Sequence, residues 1–115
     1  MTVDIYVRRI LDRYVSLTDT PDRASRSDRG LARSLFSEHI PLSLVLNAML
    51  LATIRRHYRD PDLPPLEPIH SLHYFLPVIR FIEVNPLEPV YIDYLTRKLG
   101  DIQHFNNPSL ERTAP

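Results

Sequence analysis

The side chains best equipped for chemistry in this chain are its arginines, five histidines and six tyrosines, because cysteine and tryptophan are absent. Without cysteine there is no disulfide, no thiolate metal ligand and no thiol nucleophile, which fits a reducing compartment. His70 and His73, with Asp60, Asp62, Glu67 and His57 close in sequence, are the best metal candidates. A catalytic zinc needs three well-placed ligands, and a proline-rich stretch separates these, so no metal site is expected. Histidines at a helix start more often hydrogen-bond nearby backbone or carboxylates. Tyr74 with Arg55, Arg56 and Arg80 has the residue types of a tyrosine nucleophile with arginine clamps, yet packing in a core or interface is the commoner use of such a ring. Glu83, Glu88 and Asp93 can pair for acid–base work or, among prolines and helix starts, serve as caps. The only glycines, Gly30 and Gly100, cannot build a phosphate cradle, and G-x-S-x-G, H-E-x-x-H and EF-hand patterns do not occur. No catalytic constellation is complete, so the chain reads as non-enzymatic and free of cofactor.

What remains is binding. Thirteen of the fourteen bases are arginine, the side chain that makes planar, bidentate contacts to phosphate and carboxylate. Net charge is zero, but residues 1–59 hold ten arginines against six acids while residues 60–115 hold four bases against eight acids, giving +4 and −4. A dipolar surface of this kind can steer an anion to one face or pair head to tail with a second copy. Arg8, Arg9 and Arg13 in the first helix, Arg26, Arg29 and Arg33 (with Arg23) around the second, and Arg55, Arg56 and Arg59 ending the third are expected to converge into one nucleic-acid-binding face. Such phosphate contacts position a backbone without reading bases, so binding should be weak, salt-sensitive and sequence-tolerant. The interleaved acids Asp4, Asp12, Asp19, Asp22, Asp28 and Glu38 offer a competing use for the same guanidiniums, as ion-pair partners.

These side chains need elements to hold them. The length of 115 residues suits one core, 43% hydrophobic and 24% charged residues are globular values, and scarce glycine argues against an all-β fold. Val3, Val7, Ile10, Tyr14 and Leu17 recur at helical spacing and predict a first helix. Thr18 to Ser27 reads as a loop, with Ser27 as N-cap of a second helix that carries Leu31, Leu35 and Phe36 and ends near His39. Pro41 suits a first-turn position, and the run to Arg59 predicts a third helix so apolar between Leu42 and Ile54 that neighbours must cover most of it. Four prolines in Asp60–Pro68 dictate a stiff, extended strap. Ser71 is placed to cap a fourth helix with Leu72, Phe75, Leu76, Ile79 and Ile82 on its inner face, kinked at Pro77 unless its regular part starts late. Asn85-Pro86-Leu87-Glu88 predicts the start of a fifth helix that Gly100 terminates. The fold class is therefore all-α: a compact orthogonal bundle of about five helices in one domain, 1–103, with a flexible C-terminal tail, 104–115. The pair LARSLFSEH and PLSLVLNAM has helix-turn-helix spacing, but its second helix is aliphatic where a recognition helix must be polar. No apolar run is long enough to span a membrane, and the N-terminus lacks the order of a signal peptide, so a cytoplasmic location is expected.

Leu44-Val45-Leu46-Asn47-Ala48-Met49, followed after the strap by Ser71-Leu72-His73-Tyr74-Phe75-Leu76-Pro77-Val78-Ile79, resembles the helical DnaD-type domain of bacterial and phage replication proteins. The likeness covers roughly Asp28 to Ile82. It departs from the family pattern at Ile82, where an aromatic is usual, at Pro77 within the helix, and in lacking a basic C-terminal extension. The chain is also similar to small reading frames and replication-protein tails of mobile elements. The resemblance implies single-stranded DNA binding and oligomer contacts through the tyrosine segment, which would make Tyr74, Val78 and Ile79 partner-binding residues. The expected function is thus an accessory module binding nucleic-acid backbone, single-stranded and without sequence preference, in replication or mobile-element assemblies. The alternative is a protein-interaction or self-assembling subunit of a larger complex, such as the helical small subunits of CRISPR effectors, with homo-oligomers possible in either case.

Overall fold

A helix buries its whole circumference only when neighbours cover every side of it. In the computed structural model, which describes residues 1–105, Ala48 through Ile54 are all buried without interruption. They belong to α3 (Leu42–His57), the axle on which α1 (Val3–Ser16), a 3₁₀ segment (Leu72–Phe75), α4 (Leu76–Val84) and α5 (Pro89–Phe105) pack, while α2 (Arg26–Ser37) lies against α1 and the 3₁₀ segment. The described residues are thus all-helical, with no strand among them, and no helix there is long and apolar enough to cross a membrane. The expected tail lies outside the described residues from 106 onward.

The inner faces are those set by apolar periodicity. Val7, Ile10, Tyr14 and Leu17 from α1, Leu35 from α2, and Leu72, Phe75, Ile79 and Ile82 from the fourth helical unit are all buried in one cluster. Tyr14 meets Phe75 edge to face at 6.1 Å and Tyr6 meets Phe36 at 5.1 Å, so aromatic rings lock α1 to the 3₁₀ segment and to α2. Tyr6 also donates its hydroxyl hydrogen to the Ile40 carbonyl at 2.8 Å, and burial, with Glu38 adding to it, pushes its hydroxyl up to about 12.

Four boundaries differ from expectation and a fifth, the start of α4, takes one of the two expected forms, each for a local reason. Ser25, not Ser27, caps α2, because Asp28 stands three residues on and completes a reciprocal capping box with it. Pro41 is the N-cap residue of α3, extended at φ −59°, ψ 140°, and does not occupy its first turn. The regular part of α4 starts late, at Leu76, so Pro77 falls in its first turn, where the missing N–H costs nothing and no kink is needed. Asn85 does not open α5; its backbone N–H and its side-chain amide both donate to the Phe81 carbonyl, closing α4, and α5 begins at Pro89. Gly100 does not end α5 either. Its φ is not positive, and buried Leu99 and Ile102 on either side draw the helix on to Phe105.

Between α3 and the 3₁₀ segment no helix forms. The stretch opens with a turn in which the Leu63 N–H reaches the Asp60 carbonyl at 3.1 Å, and from Pro64 it runs without regular structure across the end of α3. It is tied down by the Ile69 N–H on the Asp19 carbonyl at 2.8 Å and by Arg59 on the Pro64 carbonyl.

Candidate nucleic-acid interface

The basic residues of α1 and α2 project from exposed positions beside those helices' buried stripes, so where the two helices meet their arginines face one another. Arg8 from α1, Arg29 and Arg33 from α2, and Arg23 from the intervening loop line a groove of about 510 Å³. Val7, Leu11, Val15 and Ala24 give that groove an apolar floor, and Asp4, Asp12 and Asp22 share its walls. None of these four guanidiniums is ion-paired: among the described residues, ion pairs are made by Arg56 with Asp19 and by Arg80 with Glu38 and Glu83. The competing use of the acids is therefore only partly realised. Asp19 and Glu38 are taken by Arg56 and Arg80, Asp28 by backbone, and the acids in the groove stand without a cationic partner.

The nine expected arginines do not form one surface. Arg9 and Arg13 line a separate cleft on the far flank of α1, against Ser16 and Leu46. Arg26 is exposed at the first position of α2. Arg55, Arg56 and Arg59 line a third cleft of about 270 Å³, between the end of α3 and α4. The reason is geometric: successive residues on a helix point about 100° apart, so a run such as Arg8-Arg9 splits between faces, and α3 ends away from the meeting of α1 and α2.

That third cleft brings together Tyr74 with Arg55 and Arg56, residue types that a tyrosine nucleophile with arginine clamps would combine, while Arg80 pairs elsewhere with Glu38 and Glu83. Tyr74 and Val78 lie in it beside the α3 arginines. Arg56 spans it as a strut. With only 9% of its side chain exposed, it donates to the Glu67 carbonyl, lies 3.4 Å from the Asp19 carboxylate, reaches the Tyr74 hydroxyl at 3.4 Å and stacks over that ring at 5.6 Å. A guanidinium so occupied is structural, which corrects its assignment to a nucleic-acid face. Arg55 stays exposed with its guanidinium over the Phe81 ring at 5.7 Å. Of the residues the resemblance implicated, Tyr74 is exposed, Val78 is half-buried and Ile79 is wholly buried. Ile79 is a core residue and presents nothing to a partner. His70 is exposed, and the His73 ring nitrogen Nδ1 sits 2.9 Å from the Ser71 hydroxyl, a local cap contact.

Two features escape a reading of the sequence. Asp28, 1% exposed, accepts from the backbone N–H groups of Ser25 and Leu72, both at 2.8 Å, and so caps α2 and the 3₁₀ segment at once. Burial acts to raise its carboxyl, but those N–H groups and the Ser25 and Ser71 hydroxyls outweigh it and hold the group below its ordinary value. The other is a row of tyrosines on α5, whose signal is the spacing of Tyr91, Tyr94 and Lys98 on one helical stripe.

The chain matches no protein-family model, and comparison with curated proteins and with solved structures gives no match.

Proposed function

We propose that this chain is a non-enzymatic accessory module that binds nucleic-acid backbone, in replication or mobile-element assemblies. The observation that carries the reading is the α1–α2 groove, where Arg8, Arg23, Arg29 and Arg33 stand unpaired in one concave wall. Guanidiniums without carboxylate partners are available to phosphates, and binding through them releases counterions, so affinity must fall steeply with salt. The reading takes the bundle to be orthogonal, with α1 and α2 diverging enough for a backbone to enter between them. The DnaD-type resemblance points the same way.

Fluorescence anisotropy of a labelled single strand tests this. Binding at low ionic strength that weakens as salt rises supports it; absence of binding at low ionic strength overturns it.

A second reading is favoured by Asp4, Asp12 and Asp22 in the groove wall and by exposed Val84 and Val90 on the acidic half: a self-assembling or protein-docking subunit. Light scattering without nucleic acid separates the two, since only this reading requires mass to grow with protein concentration.

A further inference from the structure

Beyond the arginine groove, the exposed side chains with the most ordered relationship to one another are aromatic. Tyr91 and Tyr94, one turn apart on α5, stack at 6.1 Å with ring planes 17° apart, and 42% and 45% of each remains exposed. Lys98, a further turn along, places its ammonium 5.6 Å from the centre of the Tyr94 ring and 5.6 Å from that of Tyr58, which is 54% exposed at the end of α3. Three of the six tyrosines thus form one surface row with a cation set into it. Burial in a core does not account for them. A row whose only purpose was to cover α5 would use aliphatic side chains, whereas near-parallel rings with an ammonium at the end of the stack are suited to flat, anionic matter.

From this geometry we propose that Tyr58, Tyr91 and Tyr94 are a stacking platform for the unpaired bases of a single strand, with Lys98 set to meet the accompanying phosphates. The proposal rests on the reading of the chain as a nucleic-acid binder and names its substrate class: single strand, because a duplex hides its base faces. Charge complementarity supports this occupant. Lys98 and neighbouring Arg97 are two of only three described bases beyond residue 59 and both lie on this helix, Arg97 exposed, while Tyr58 is followed by Arg59 at the end of α3. The platform therefore sets exposed rings beside cations, the combination by which single strands are held without regard to sequence.

The experiment compares the full chain binding an oligothymidylate with its binding of an abasic strand of equal length, which keeps the phosphates and lacks the bases. The wild type should prefer oligothymidylate by about tenfold or more, the order expected of base–aromatic stacking. Its tyrosine emission, unobscured because tryptophan is absent, should be quenched on binding. Tyr91→Ala with Tyr94→Ala should abolish the preference and leave abasic binding within about twofold, whereas Tyr91→Phe with Tyr94→Phe should keep it, since the ring and not the hydroxyl does the stacking. Equal wild-type affinity for the two strands overturns the platform while leaving the phosphate-binding reading intact. Failure to bind either strand overturns both. Loss of self-association in the alanine variant with oligothymidylate affinity unchanged overturns the platform in favour of a second copy as its occupant.

Discussion

Asp28 ties together two helical segments that are remote in sequence. Its carboxylate accepts from the Ser25 N–H at the start of α2 and from the Leu72 N–H 44 residues further along the chain, donors a helix start would otherwise leave orphaned, and from the Ser71 hydroxyl as well. Asp28→Ala should cost about 2–4 kcal/mol, combining removal of an N-cap with buried N–H groups left unpaired, measured as a lower urea midpoint with an unchanged slope. The pH dependence has a fixed sign. Because the folded carboxyl is held below its ordinary value, its contribution is complete above the unfolded pKa of about 3.9 and is lost as pH falls through the folded one. The stability gap between wild type and Asp28→Asn should therefore be constant near neutrality and shrink below about pH 4. Arg56→Ala should destabilise by about 1–3 kcal/mol, because its contacts to the Glu67 carbonyl and Asp19 tie down the connection between α3 and the 3₁₀ segment; Arg55→Ala, at an exposed site, should change stability by less than about 0.5 kcal/mol. Half of Asp28's role is visible in the Ser25-x-x-Asp28 spacing, which identifies the capping serine better than adjacency does. The other half, its grip on the Leu72 N–H, depends on a tertiary approach that no local pattern encodes.

Among the elements, α3 is the most legible in the sequence, because a stretch with hardly any polar side chain from Leu42 to Ile54 has only a buried solution. The ends of elements are least legible, since competing serines, prolines and glycines all carry the same local signals. Gly100 shows why: glycine ends a helix only where it takes a left-handed turn, and that depends on what the following residues bury. A Cβ at Gly100 would meet nothing within 4 Å, so Gly100→Ala should stabilise by about 0.5–1 kcal/mol; a helix terminated there would instead be weakened. His39 is the reverse case. It closes α2 at φ 63° with the Ile40 N–H on the Leu35 carbonyl and its own N–H on that of Phe36, a Schellman closure with histidine where glycine is usual. His39→Gly should raise stability by about 0.5–1 kcal/mol, read as a melting temperature several degrees higher.

At the scale of the whole molecule, the halves of +4 and −4 are decided by sequence, but how their charges group is decided by the packing of α1 on α2 and of the chain after Asp60 across α3. Counting arginines suggests one basic face. The fold splits them into an unpaired set in the α1–α2 groove, a pair on the far side of α1, and a set at the end of α3 of which Arg56 is committed to structure. Phosphate binding should accordingly be concentrated in the first set. The most direct measurement is the slope of log affinity against log salt for a labelled single strand, with wild type beside Arg8→Gln/Arg29→Gln/Arg33→Gln. Every phosphate that is no longer neutralised should flatten the slope by about 0.7, so the triple variant should bind more weakly and show a slope shallower by about 2, whatever the base sequence. A variant that keeps the wild-type affinity and slope would contradict the groove as the seat of binding.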